Sequence, residues 1–250
     1  MTADDRTGPT GDAATSSNGG AGSWSVVEVW WARIDQARDE FVADLNDVER
    51  GRLTAYVRDA DKARFLLGCT IVRRLLAARF SLPAAKVRLD RTCPECGKPH
   101  GKVRSDGVEL SVTHSGDLVG VAVGDRPVGL DVEQVDPGVD VDALAGIVLS
   151  PEEVQELSRY DGLDKSRAFT TYWTRKEAVV KANGDGLRTD LRTVIVSRPD
   201  KPANLLRWAR HSGPIQLLDL QPDPGHAATL ATLHPEPPHV QVHDATKLLS

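Results

Sequence analysis

The 250-residue chain has no excess of positive charge, no long apolar run and only three cysteines. Lys and Arg together number 31 against 36 Asp and Glu, a formal net charge of -5. That balance excludes a global positive field of the kind that draws nucleic acid. The longest apolar run, around Phe65 to Ile71, is too short to span a bilayer, so no membrane partner is expected. The first residues, MTADDRTGPTGDAATSSNGGAG, lack both an apolar stretch and a basic leader, so they do not read as a secretory signal. Their Gly, Ser, Thr and Asp content cannot bury enough surface to order itself, and residues 1–22 are expected to be a disordered tail. A reducing cytoplasm is the expected location, and Cys69, Cys93 and Cys96 are too few for a disulfide framework. CPECGKPH places His100 four residues after a C-x2-C pair. A zinc site on Cys93, Cys96 and His100 would want a fourth ligand, and a turn of plain thiols is the alternative.

What is present is a mixed pattern of 40% hydrophobic and 27% charged residues, the balance of a globular protein. SWSVVEVWWARID (23–35) reads as a strand. DADKARFLLGCTIVRRLLAARF has the apolar recurrence of a helix closed by Pro83. AKVRLDRTC and VELSVTHSG are strand candidates, and LVGVAVGDRPVGLDVEQV reads as a β-hairpin from Leu118 to Val135 turning at GDRP. Ser150, Pro151 and Glu153 form a helix start, with Ser150 as N-cap. A longer helix is expected from Asp164 to Ala182, stopped by Asn183–Gly184. TVIVSRP, IQLLDLQP and HAATLATLH are three further short strands. This order gives an α+β class with two halves of related pattern, residues 23–125 and 126–250.

Asp131 and Glu133 stand two apart on a strand and so point to one side, while Leu130 and Val132 point to the other. Paired carboxylates repel unless a cation lies between them, and oxygen ligands at this spacing suit Mg²⁺. An exposed acidic strand edge would look the same. On the later helix Trp173, Glu177 and Lys181 follow i, i+4, i+8 spacing and share one stripe. Glu177 could supply a third carboxylate, or simply a helix ion pair with Lys181. His114 lies in SVTHSG between two hydroxyl residues.

The pair VGLDVE and WTRKEAVVKANGDGL resembles the signature of the 4′-phosphopantetheinyl transferase superfamily, G-[IVL]-D-[IVL]-E followed by W-[ST]-x-[KR]-E-[AS]-x-x-K. Gly129, Asp131, Glu133, Trp173, Thr174, Lys176, Glu177, Ala178 and Lys181 match it. RFLLGCTIVRRLL, the CGKPHGK turn and SVTHSG look like the longer, two-lobed (Sfp-like) branch, and the resemblance spans roughly residues 45–235.

The resemblance implies two similar lobes related by a pseudo-twofold axis, each a small antiparallel sheet packed on helices, with the active site at their junction. It implies Mg²⁺-dependent transfer of the 4′-phosphopantetheine arm of coenzyme A to a serine of an apo acyl, peptidyl or polyketide carrier protein, releasing adenosine 3′,5′-bisphosphate. It also implies a monomer of the holo-[acyl-carrier-protein] synthase type, serving polyketide or non-ribosomal peptide assembly. Asp131, Glu133 and Glu177 would hold Mg²⁺; Glu177 would also be the base for the serine, and Lys181 would meet phosphate. Thr113 and His114 would meet the 3′-phosphate, with Arg64 and either Arg52 or Arg50 as upstream phosphate contacts. The basic residue of the family's G-[KR]-P element is Lys98 by spacing or Lys102 by the form of the turn. Trp173 would pack the helix rather than react. Two other classes compete: a carrier-binding module without turnover, and a zinc-containing adaptor built on Cys93, Cys96 and His100.

Overall fold

The computed structural model describes residues 26–93, 96–99, 101–186 and 189–250. The expected tail at 1–22 and His100 of the zinc reading lie outside the described residues. β1 (Val26–Arg33) leads through two 3₁₀ turns to α1 (Asp47–Ala55) and α2 (Asp59–Phe80). Next come β2 (Glu109–Ser115), β3 (Leu118–Gly124) and β4 (Val128–Gln134). α3 (Val141–Val148), α4 (Pro151–Leu157) and α5 (Gly162–Asn183) follow, then β5 (Ile195–Val196) and β6 (Leu205–Arg207). β7 (Gln216–Leu220), β8 (His226–Thr232), β9 (His239–Asp244) and α6 (Thr246–Leu249) complete the chain.

The fold is α+β, with small sheets, antiparallel except for one pair, packed on helices. Four strands run in the order β2-β3-β1-β9, three in the order β4-β8-β7, and β5 pairs with β6. β9 lies parallel to β1, Val26 opposite His239, and was not anticipated from the sequence.

Alternation along the strands explains the layers. Ala32 on β1 and Val119, Val121 and Val123 on β3 face a core built on α2 with Leu66, Leu67, Ile71, Val72 and Leu76. Val27, Val29, Leu118 and Ala122 face the other way and meet Val128, Leu130 and Val132 of β4 and Ala228 and Leu230 of β8. The two larger sheets therefore pack face to face. Behind the second sheet, Phe169, Tyr172, Val179 and Val180 of α5 form a further core with Val141, Val194 and Trp208. β3 is buried along its whole length because both its faces are covered.

Helix ends match the sequence signals. Ser150 accepts from the Glu153 amide, and Glu153 returns the bond to the Ser150 amide. α5 stops at Gly184 in the left-handed conformation (φ 81°). Two expectations fail. Leu118–Val135 is not a hairpin: both edges of β3 are taken by β1 and β2, so the chain crosses at GDRP into the other sheet. The hairpin is β2–β3, turning at Ser115 to Leu118. AKVRLDRTC is not a strand either; a 3₁₀ turn, Ala84–Lys86, overlaps its start, and a single bridge joins Asp90 to Arg104.

Candidate active site

The two larger sheets share no ladder, yet β2 and β4 are joined side by side. Ser111, Thr113 and Ser115 project alternate hydroxyls from β2, and these accept the amides of Leu130, Val132 and Gln134 on β4 at 2.9, 3.1 and 3.1 Å. Two of the hydroxyls also donate. Thr113 donates to Asp131 Oδ1 at 3.2 Å and Ser115 to Glu133 Oε2 at 2.6 Å. A strand written Ser-x-Thr-x-Ser thus aligns the neighbouring strand and orients both its carboxylates.

Gly129, on the same face as Asp131, lets α5 settle directly on β4. A Cβ there would stand 2.0 Å from the Ala178 carbonyl oxygen and 2.4 Å from the Ala182 nitrogen. This contact brings Glu177 and Lys181 to the acidic strand. Lys181 Nζ reaches Asp131 Oδ1 at 2.5 Å, with the Leu130 carbonyl and Thr113 hydroxyl both at 3.3 Å. Asp131 is only 3% exposed, and its Oδ2 is buried without a hydrogen-bond partner. Burial pushes the Asp131 carboxyl above the usual range, against the pull of Lys181. Burial and then the charge of Asp131 push Glu133 up to about 7, and the same two causes raise Glu177.

These groups line one cavity of about 390 Å³. Asp131, Glu133, Trp173, Glu177 and Lys181 form one part of its wall, so the helical stripe does face a single site. Thr113 and His114 also line it, and Arg52, Arg64 and Arg91 give it a basic part. The His114 imidazole is held below its usual value, first by desolvation at the wall and then by Lys181 and Arg64.

The comparisons with known proteins agree with this constellation. The model of the 4′-phosphopantetheinyl transferase superfamily matches residues 127–231. The chain is 29% identical over 211 residues to the 4′-phosphopantetheinyl transferase HetI of Nostoc sp., covering 82% of this chain and 86% of that one. It is 31% identical over 190 residues to slr0495 of Synechocystis sp., provisionally named for the same activity, covering 74% and 75%. The chain belongs to the 4′-phosphopantetheinyl transferase superfamily. Among the transferases of the Sfp-like branch, it is 24% identical over 203 residues to Sfp of Bacillus subtilis, covering 81% and 88%.

Within this phosphopantetheinyl transferase chain the cavity gathers, besides Trp173, eight residues expected from the sequence to bind or react: Arg52, Arg64, Thr113, His114, Asp131, Glu133, Glu177 and Lys181. Lys98 and Lys102 lie elsewhere. Lys98 is exposed, and Lys102 directs its ammonium to the Val128 carbonyl at 3.1 Å and Glu109 at 3.5 Å. Arg50 turns away, its Nε on the Val42 carbonyl. Trp173 packs edge-on against Phe169, with ring centroids 5.9 Å apart.

Sequence reasoning gave no role to Lys176. It is fully buried, with Nζ 2.5 Å from Glu153 Oε2 and 2.9 Å from the Leu191 carbonyl. Glu153 also accepts the Val196 amide, so one ion pair ties α4, α5 and β5 together. Ser115, which holds Glu133, was missed as well. The alternation of hydroxyls at 111, 113 and 115 was the available signal.

Among the described residues, no three His, Cys, Asp or Glu side chains already converge as a ready-made cage for an ion. The chemistry still fits a hard divalent cation that keeps several of its own waters. Asp131 Oδ2 is an orphaned buried acceptor, and three carboxylates with raised proton affinities share one wall with a single ammonium between them. No helix among the described residues is long and apolar enough to cross a membrane.

Proposed function

We propose that this protein catalyses Mg²⁺-dependent transfer of the 4′-phosphopantetheine arm of coenzyme A to a serine hydroxyl of an apo carrier protein, releasing adenosine 3′,5′-bisphosphate. The observation that supports it best is the meeting of Asp131, Glu133, Glu177 and Lys181 on one cavity wall, with Asp131 Oδ2 left without a partner. Asp131, Glu133 and Glu177 hold the cation. When bound, it supplies charge neutralisation at the pyrophosphate and polarises the phosphorus centre.

Glu177 takes the proton of the attacking serine. The serine oxygen forms a bond to the β-phosphorus as the bond from that phosphorus to the bridging oxygen breaks. The electron pair leaves with adenosine 3′,5′-bisphosphate. Lys181 exchanges part of its hold on Asp131 for the phosphate oxygens and offsets their charge. Arg52, Arg64, Thr113 and His114 receive the nucleotide end.

The protein works as a cytoplasmic monomer of the holo-[acyl-carrier-protein] synthase type, its site at the junction of residues 23–125 and 126–250. Its carriers are those of polyketide or non-ribosomal peptide assembly. The test is incubation with an apo carrier protein, coenzyme A and Mg²⁺. A carrier mass gain of one phosphopantetheine arm supports transfer, and no gain alongside tight carrier binding overturns it.

A further inference from the structure

We propose that Arg91 binds the 3′-phosphate of coenzyme A, as a phosphate contact additional to Arg52 and Arg64; this rests on the transferase reading above.

The cavity wall divides by charge. Among its lining residues Asp131 bonds Lys181, and Glu133 and Glu177 feel the Lys181 charge, whereas Arg52 lies over Phe65 and Arg91 reaches Cys69; the carboxylates paired with the arginines, Asp61 of Arg64 and Glu49 of Arg91, do not line the cavity. A phosphate held with a cation belongs at the carboxylates. A phosphate held without one belongs among the guanidiniums.

The three arginines are not equivalent. Arg52 donates through Nη1 to the Pro99 carbonyl at 2.8 Å and lays its guanidinium over the Phe65 ring. Arg64 spends Nε and Nη2 on the Gly116 carbonyl and Nη1 on Asp61. Arg91 has no hydrogen bond from its side chain to oxygen among the described residues. Its Nε is buried without an acceptor, and Glu49 Oε1 stands 3.8 Å away, beyond hydrogen-bond reach. Its Nη2 meets only Cys69 Sγ, at 3.9 Å. The other oxygen of Glu49 is taken by Arg73 at 2.5 Å, so Glu49 attracts Arg91 without consuming its donors.

The Arg91 side chain is 15% exposed, lines the cavity and is met by Glu49 only at ion-pair distance, so its guanidinium keeps donors for a second anion. Its base is already fixed. The Arg91 carbonyl accepts the Gly101 amide at 2.7 Å, and the neighbouring Asp90 is bridged to Arg104. Burial holds the Cys69 thiol neutral, its pKa pushed up to about 12, so Glu49 is the one carboxylate paired with the arginine among the described residues and no thiolate adds to it. A phosphate oxygen pair matches the planar fork that Arg91 presents.

The experiment compares coenzyme A with 3′-dephospho-coenzyme A as donors to an apo carrier, in wild type, Arg91→Ala and the polar, uncharged Arg91→Gln. A charge-assisted contact of this kind corresponds to a loss of roughly 10- to 100-fold. The wild type should prefer coenzyme A. Both variants should lose that factor in kcat/KM for coenzyme A and keep kcat/KM for the dephospho donor within about twofold of wild type. The ratio between donors is taken within each variant, so it does not depend on how much of the sample is folded. Equal loss on both donors, or loss on neither, overturns the proposal.

A second arm titrates adenosine 3′,5′-bisphosphate and adenosine 5′-monophosphate by calorimetry, without carrier. Arg91→Ala should weaken the bisphosphate and leave the monophosphate unchanged, and equal effects on both count against Arg91. If wild type transfers nothing from either donor, the transferase reading fails, and this binding arm still decides for or against Arg91.

Discussion

Replacing Gly129 by alanine should separate the acidic strand from the helix that completes the site. The added Cβ would lie 2.0 Å from the Ala178 carbonyl oxygen, about 1.4 Å short of the 3.4 Å at which ordinary contact begins. Both neighbours, Ala178 O and Ala182 N, are backbone atoms, so no side chain can swing aside. α5 is pinned on its far side by Val179, Val180 and Tyr172, all buried. Overpacking of this kind costs about 1–3 kcal/mol, and a backbone-to-backbone clash belongs at the upper end. Alanine returns about 0.4–1 kcal/mol by restricting the unfolded chain, leaving a net loss of about 2–3 kcal/mol. For a chain of this size that is a fall in Tm of about 5–10 °C. Carrier modification should fall further than stability, because a displacement near 1 Å between reacting groups costs about 100-fold. Scanning fluorimetry and carrier mass read the two effects. Gly146→Ala, in α3, is the control: nothing lies within 4 Å of its new Cβ, and its Tm should hold or rise. A Gly129→Ala protein with wild-type Tm and wild-type transfer would refute the packing argument.

Glu177→Gln should lower carrier modification by at least about 100-fold with Tm unchanged or raised, since burial already disfavours the charged form; residual turnover near wild type would exclude Glu177 as base. Thr113→Val removes the acceptor of the Val132 amide and one donor to Asp131, at about 1–3 kcal/mol in urea unfolding, and Thr113→Ser should recover most of it. Glu133 is raised to about 7 from 4.5, so its contribution to stability is complete below about pH 4.5 and is lost as pH rises through 7. Without divalent cations stability should therefore decline across that window, by on the order of 1 kcal/mol after allowance for solvent, read as a falling Tm, and Mg²⁺ should restore it at the alkaline end. A Glu133→Gln protein with the same slope would assign the decline elsewhere. Lys176→Met strands the buried Glu153 carboxylate and should cost about 3–5 kcal/mol in the same urea assay; a loss under 1 kcal/mol would contradict the ion pair's structural role.

Local chemistry was the readable part of this sequence. α5 was legible at both ends because an apolar recurrence runs into Asn183–Gly184, and Ser150-Pro151-x-Glu153 spelled out the start of α4. Asp131, Glu133, Glu177 and Lys181 were found because the signature spacing is local to one strand and one helix. Pairings between distant segments were not legible. GDRP has the composition of a hairpin turn, but whether β3 and β4 pair depends on β1 having already taken the free edge of β3. β9 carries His, Gln and Asp among its six residues and gains its place only from β1, more than two hundred residues earlier. Arg91 escaped notice because it falls outside every local pattern; only the fold sets it on the cavity wall.

The seam between β2 and β4 is made of side-chain hydroxyls where a sheet would use amide ladders. Each of the hydroxyls of Thr113 and Ser115 has a single proton, and it goes to a carboxylate, while the backbone of β4 is held through the oxygen lone pairs. A cation or proton arriving at Asp131 or Glu133 therefore alters one arm of each hydroxyl and leaves the other in place. Charge at the centre of the site thus reaches the seam between the two sheets through two hydroxyl protons, those of Thr113 and Ser115.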